Sequence, residues 1–249
     1  MNFVEKLSAA QQRNNSWLCV GLDTDPAKIP TGQNVVAFNR AIIEATHDLV
    51  CAYKPNLAFY LMRSATGIDE LQQTIAAIPR DIPIVLDAKF GDIESSARGY
   101  ARFAFEILGA DAVTVNPYLG ADALAPFLEY NDRALFLLAH TSNPTARDLQ
   151  DLSIDGEPLY VRVARSLQDL EDFRGANPTA LGLVVGATFP EQLRLVRAAN
   201  PGAIFLIPGI GAQGGSVHDA VTFGKTDAGI GPLINASRSI LYASNKNDF

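Results

Sequence analysis

Residues 83–108, PIVLDAKFGDIESSARGYARFAFEIL, carry a strand, a charged strand end, a glycine turn and a helix in one pass. PIVLDAK (83–89) is an apolar run closed by an acid and a base, and SSARGYARFAFEIL (95–108) takes up helical spacing after Gly91. The unit recurs along the chain. Strands are predicted at WLCVGLD (17–23), VCAYKPN (50–56), AVTVN (112–116), ALFLLAH (134–140), LGLVVGA (181–187), IFLIPGI (204–210) and AGIGPLIN (228–235), which with 83–89 makes eight. Helix-like stretches lie between them, among them VVAFNRAIIEATHDLV, IDELQQTIAAI, LYVRVARSLQDLEDF and FPEQLRLVRAA. Alternating strands and helices imply a parallel sheet with right-handed crossovers. The 249 residues, shared over eight units, allow about 31 each, close to one βαβ step.

An open, doubly wound sheet satisfies the same alternation, and the strand ends distinguish the two. Polar residues gather where the strands end: Asp23, Lys54 and Asn56, Asp87 and Lys89, Asn116, Thr141 and Ser142, Gln213, and Arg238. In a barrel those ends converge on one mouth, whereas an open sheet strings them along an edge. The expected fold is therefore α/β, a (β/α)8 TIM barrel with residues 1–249 as one domain. No linker or longer repeat divides it, and the longest irregular insertion, 143–158, follows the fifth strand.

Composition narrows the function classes. With 48% hydrophobic and 19% charged residues the chain can bury a core, and no apolar run approaches the roughly 20 residues that span a bilayer. No membrane association is expected. The N-terminal MNFVEKLSAAQQRNNSW lacks a basic start, an apolar stretch and a small-residue cleavage site, so a cytoplasmic location is expected. A formal net charge of −7 without a basic block argues against a nucleic-acid partner. Cys19 and Cys51 sit in apolar runs without metal-ligand spacing and read as buried free thiols.

Within VLDAKFGD, Asp87 and Lys89 are two apart on a strand and should leave the same face, which at a barrel strand's C-terminal end is the interior. Gly91 permits a turn that throws Asp92 out of line, and Lys54, ending the second strand, completes an alternating Lys–Asp–Lys–Asp array. A salt-bridge network that only fixes barrel register is the alternative reading. Burying several charges is costly unless function retains them, which favours chemistry.

PGIGAQGG matches G-x-G-x-x-G, but it follows the seventh strand, and position 229, where a dinucleotide site would want an acid, is glycine. The loops after strands seven and eight of such a barrel are instead a recurrent phosphate site. Arg238 in NASRSIL can add a bidentate contact. Its alternative is a surface turn beside an exposed arginine. No clustered His/Cys set suggests a transition metal, His47 and His218 fall in helical stretches, and His140 ends the fifth strand, from which it could reach the mouth.

Taken in order, GLDTDP, YKPNLAFY, LDAKFGDIESSARGYA, VTVNPYLG, HTSNP, PGIGAQGG and NASRSI span nearly the whole chain and resemble the orotidine 5′-monophosphate decarboxylase family, more closely its shorter second bacterial type. That resemblance implies a (β/α)8 homodimer that converts orotidine 5′-monophosphate to uridine 5′-monophosphate and carbon dioxide, the last step of pyrimidine nucleotide synthesis, with no metal or organic cofactor. It implies that Lys89 donates the proton to C6, that Asp87 faces the departing carboxylate, and that Lys54 and Asp23 serve the ribose hydroxyls. Asp92 and Ser96 would reach the other subunit's site. Ser142 would read the pyrimidine amide edge, Gln213 bridge base and phosphate, and Arg238 bind phosphate beside the Ser237 backbone. Glycine is the residue the pattern leads one to expect at 237. Two rivals remain: a magnesium-dependent sugar-phosphate enzyme sharing D-x-K-x-x-D, which would want carboxylates in place of KPN, and a catalytically silent sensor of phosphate ligands.

Overall fold

The computed structural model describes residues 1–174, 179–211 and 213–244. Its eight long-sheet strands are β1 (Leu18–Gly21), β2 (Ala52–Lys54), β3 (Val85–Phe90), β4 (Ala112–Val115), β5 (Ala134–His140), β6 (Ala180–Val185), β7 (Ile204–Ile207) and β8 (Leu233–Ala236). All pairings among them are parallel, in the order β2-β1-β8-β7-β6-β5-β4-β3. The two ends of that order meet through parallel bridges Tyr53–Ile84 and Asn56–Asp87, with Tyr53 N–H on Pro83 O and Asp87 N–H on Pro55 O at 3.0 Å each. The sheet is thus a nearly closed barrel with helices between its strands, and the open-sheet alternative falls away.

The period of two along the strands separates two apolar layers. Cys19, Val85, Phe136 and Leu206 belong to an inner cluster, while their neighbours Val20, Leu86, Leu137 and Phe205 pack outward against the helices. Both cysteines are free and buried, and burial pushes the Cys19 thiol up to about 12. Among the described residues no helix is long and apolar enough to cross a membrane.

The lower end of the barrel is plugged by a helix, Phe3–Asn14, that the apolar periodicity does not reveal. Its signal is the N-x-x-E capping box: Asn2 accepts from the Glu5 N–H, and the Glu5 carboxylate accepts from the Asn2 N–H, at 3.0 Å each. Phe3 then meets Phe136 edge-on at 5.8 Å, and Lys6 pairs with Asp111 at 2.7 Å. With that end filled, the open mouth lies at the C-terminal ends of the strands.

The insertion at 143–158 is not irregular throughout: it holds the turns Pro144–Ala146 and Arg147–Gln150 and the hairpin Ser153–Ile154/Glu157–Pro158. Asp151 ties it to His140 Nε2 at 3.0 Å. His140 is wholly buried against the ring edges of Tyr160 and Phe189 and does not line the mouth. Burial holds its pKa below the ordinary value against the opposing pull of Asp151, so it anchors the insertion as a neutral core histidine.

Candidate active site

Three of the four expected array members meet. Asp87 Oδ1 accepts from Lys89 Nζ at 2.5 Å and from the Thr114 hydroxyl at 3.0 Å; Oδ2 accepts from Lys54 Nζ at 3.1 Å and from Asn56 Nδ2 at 3.3 Å. Four donors saturate the four lone-pair positions of a carboxylate. Asp23, just past β1, stands 3.7 Å from Lys54 Nζ and accepts from the Ser237 hydroxyl at 2.7 Å. Asp92 is not in this cluster: its carboxylate accepts from the neighbouring Ile93 N–H at 2.8 Å, and neither Asp92 nor Ser96 lines the cavity.

The route by which Lys89 reaches Asp87 differs from plain strand alternation. Leu86 pairs with Val113 and Phe90 with Val115, so Asp87, Ala88 and Lys89 bulge opposite the single residue Thr114. Lys89 takes a left-handed φ of 53°, strained for a side chain of its size. Bulges beside active sites re-aim side chains in this way.

Burial and charge act against each other here. Burial alone would raise the pKa of Asp87, but the ammonium groups of Lys54 and Lys89 hold it well below the usual carboxylate range. Burial alone would lower that of Lys54, but Asp23 and Asp87 raise it above the ordinary lysine value. Lys54 is 2% exposed, whereas the Lys89 side chain is 46% exposed. Lys54 is therefore the fixed cation of the floor and Lys89 the one open to the cavity.

Around this floor opens a cavity of about 760 Å³, lined also by Ser142, Gln213, Ser237 and Arg238. The glycine loop is shaped by Gly209 and Gly211 at φ 103° and 80°. A Cβ on Gly209 would lie 3.2 Å from Gln213 Oε1 and from Ser142 Cβ; one on Gly211 would strike the Ser239 hydroxyl at 2.8 Å. Glycine thus lets the loop seat Gln213 beside Ser142 and close onto the 238–241 turn that carries Arg238. The unexpected Ser237 side chain points to β1, where a Cβ on Gly21 would fall 1.9 Å from its oxygen.

Several lining residues escape sequence reasoning: Asp25, Lys28, Asn143, Asn235, Tyr242 and above all Thr114. Thr114 was visible only as the one polar side chain inside the apolar run AVTV. Conversely, Asn116 does not line the cavity; it caps the turn Pro117–Leu119 by accepting from the Tyr118 N–H at 3.0 Å. Among the described residues no group of three or more His, Cys, Asp or Glu side chains could hold a metal ion.

A parallel eight-stranded barrel whose strand ends converge on a charged floor beneath a deep cavity defines a (β/α)8-barrel enzyme. Residues 16–248 match the Orotidine 5′-phosphate decarboxylase / HUMPS family. The chain is 52% identical to the orotidine 5′-phosphate decarboxylase of Thermomicrobium roseum, over 98% of this chain and 88% of that protein. Among solved structures it resembles the Leishmania donovani OMP decarboxylase, with a TM-score of 0.87, 40% identity, and 100% and 94% of the two chains covered. It also resembles the UMP synthase of the same organism, with a TM-score of 0.90 and 44% identity; all of this chain matches, over 54% of that longer one. The chain belongs to the Orotidine 5′-phosphate decarboxylase / HUMPS family and stands among its carboxy-lyases.

Proposed function

We propose that the chain decarboxylates orotidine 5′-monophosphate to uridine 5′-monophosphate and carbon dioxide, directly and without cofactor, with Lys89 delivering the proton to C6. The observation that carries this reading is Asp87, saturated by four donors and locked as an anion beside the exposed ammonium of Lys89. The bond from C6 to the carboxylate breaks, carbon dioxide leaves, and the electron pair stays on C6. The Lys89 N–H bond then gives its proton to C6, and solvent reprotonates the amine. An ammonium fixed where negative charge develops stabilises the transition state more than the ground state. Asp87, unable to take a proton, sits against the substrate's carboxylate.

The remaining groups fit the rest of such a nucleotide. Asp23, which lines the cavity beside Lys54 with its side chain 16% exposed, is placed to meet ribose hydroxyls. Ser142 reads the base edge, Gln213 joins base and phosphate, and Arg238 with the glycine loop and the Ser237 backbone holds the phosphate. Asp92 and Ser96 complete the site of a second subunit in a cytoplasmic homodimer. Supporting this, the loops after β2, β3 and β4, neighbours around the barrel, expose Leu61, Met62, Ile93, Tyr118 and Leu119. Carbon dioxide release from orotidine 5′-monophosphate by protein treated with EDTA tests the reading; no release from folded protein would end it.

A further inference from the structure

The bulge in β3 has to be held by something, because Lys89 is strained and β3 there has three residues opposite one. The Ala88 and Lys89 N–H groups, which an extended strand would send to opposite sides, converge on Thr114 Oγ1 at 3.0 and 2.9 Å. A hydroxyl accepts two hydrogen bonds and donates one. With both acceptor positions taken by the bulge, the Thr114 proton has a single direction left, and it goes to Asp87 Oδ1 at 3.0 Å. That oxygen is the one Lys89 Nζ also contacts. One buried hydroxyl therefore ties together the backbone of the bulge, the carboxylate and, through it, the ammonium.

We infer that Thr114 is a positioning residue of the reaction: its hydroxyl templates the bulge that delivers Lys89 to Asp87 and fixes the pair against the reacting carbon. This rests on the decarboxylation proposed above. Thr114 acts through Lys89 and Asp87 and need not touch the substrate. Valine at 114 keeps the shape but leaves two N–H groups without their acceptor and Asp87 Oδ1 short of a donor. Serine keeps the oxygen and loses only a methyl group.

Steady-state turnover of orotidine 5′-monophosphate by wild type, Thr114→Val, Thr114→Ala and Thr114→Ser, with EDTA present and well below each melting temperature, tests the inference. Misplacing the pair by about an ångström should lower kcat of Thr114→Val by about 100-fold. KM should change by less than about threefold, because the binding groups of the rim are untouched, and Thr114→Ser should recover kcat to within about tenfold of wild type. If the valine protein does not fold, the alanine protein carries the same expectation. A kcat near wild type without the hydroxyl, a loss confined to KM, or a loss that serine does not rescue would overturn the assignment. An inactive wild type would instead refute the decarboxylation reading itself.

Discussion

At the scale of single residues, the site works by opposing burial with charge, and this fixes its pH behaviour. Asp87 has a folded pKa below its unfolded value, so its contribution to stability is complete above about pH 5 and is lost only as pH falls through the depressed folded value. Lys54 has a folded pKa above its unfolded value, so its contribution is complete below about pH 9 and is lost as pH rises through the raised value. Stability measured by urea denaturation should therefore show no step from either group between about pH 5 and pH 9. A step inside that window that disappears in Asp87→Asn would contradict the assignment. Gly21 offers a second residue-scale prediction. Because a Cβ there falls on the Ser237 hydroxyl, Gly21→Ala should detach Ser237 from Asp23 and raise KM, and Gly21→Ala with Ser237→Gly should recover most of the loss. Additive losses in that double mutant would sever the two positions. Asp87 and Lys89 were legible in LDAKFGD and Lys54 in YKPN, but the bulge that joins the first two was not. It depends on a hydroxyl from the next strand, and no local pattern encodes which partner a strand will find.

At the scale of elements, the strand and helix rhythm was readable because each strand alternates inner and outer apolar positions and each helix buries one face. Boundaries shifted where turn chemistry won. The run 50–56 yields only Ala52–Lys54 as strand, since Asn56 turns to cap the helix Leu57–Leu61 by accepting from the Ala58 N–H. The run 228–235 likewise begins its strand only at Leu233, and Gly229 before it takes a left-handed φ of 83°. Arg197 shows a device that no periodicity could reveal. Its guanidinium donates to the carbonyls of Asn200, Pro201, Ala203, Phe223 and Gly224 and lies 3.7 Å above the Phe205 ring, capping two helix ends against β7. Burial pulls its pKa down to about 10, yet it keeps its charge at neutral pH. Arg197→Met strands those carbonyls and should cost about 2–4 kcal/mol in urea denaturation, while kcat/KM at low temperature holds. Unchanged stability would show that the carbonyls find other donors.

At the scale of the whole molecule, barrel closure brings residues on or just past all eight strands to one floor and rim, and this is why polar strand ends pointed to a barrel and why most of them gather at one cavity. Asp92 lies outside the cluster, beyond the bulge and on a rim that exposes Ile93; in the homodimer proposed above, a second copy would bring it to the array. Mixing Lys89→Ala with Asp92→Ala protein should restore turnover through hybrid dimers that hold one intact site; no recovery despite demonstrated subunit exchange would remove Asp92 from the partner's site. Within the proposed reaction, protonation of C6 falls to Lys89. It is tested most directly by turnover in D₂O with EDTA, comparing wild type with Lys89→Ala and locating deuterium in the product. Wild type should place deuterium at C6, and Lys89→Ala, still folded, should lose at least about 10³-fold in kcat. Full turnover by Lys89→Ala would show that the proton comes from another group.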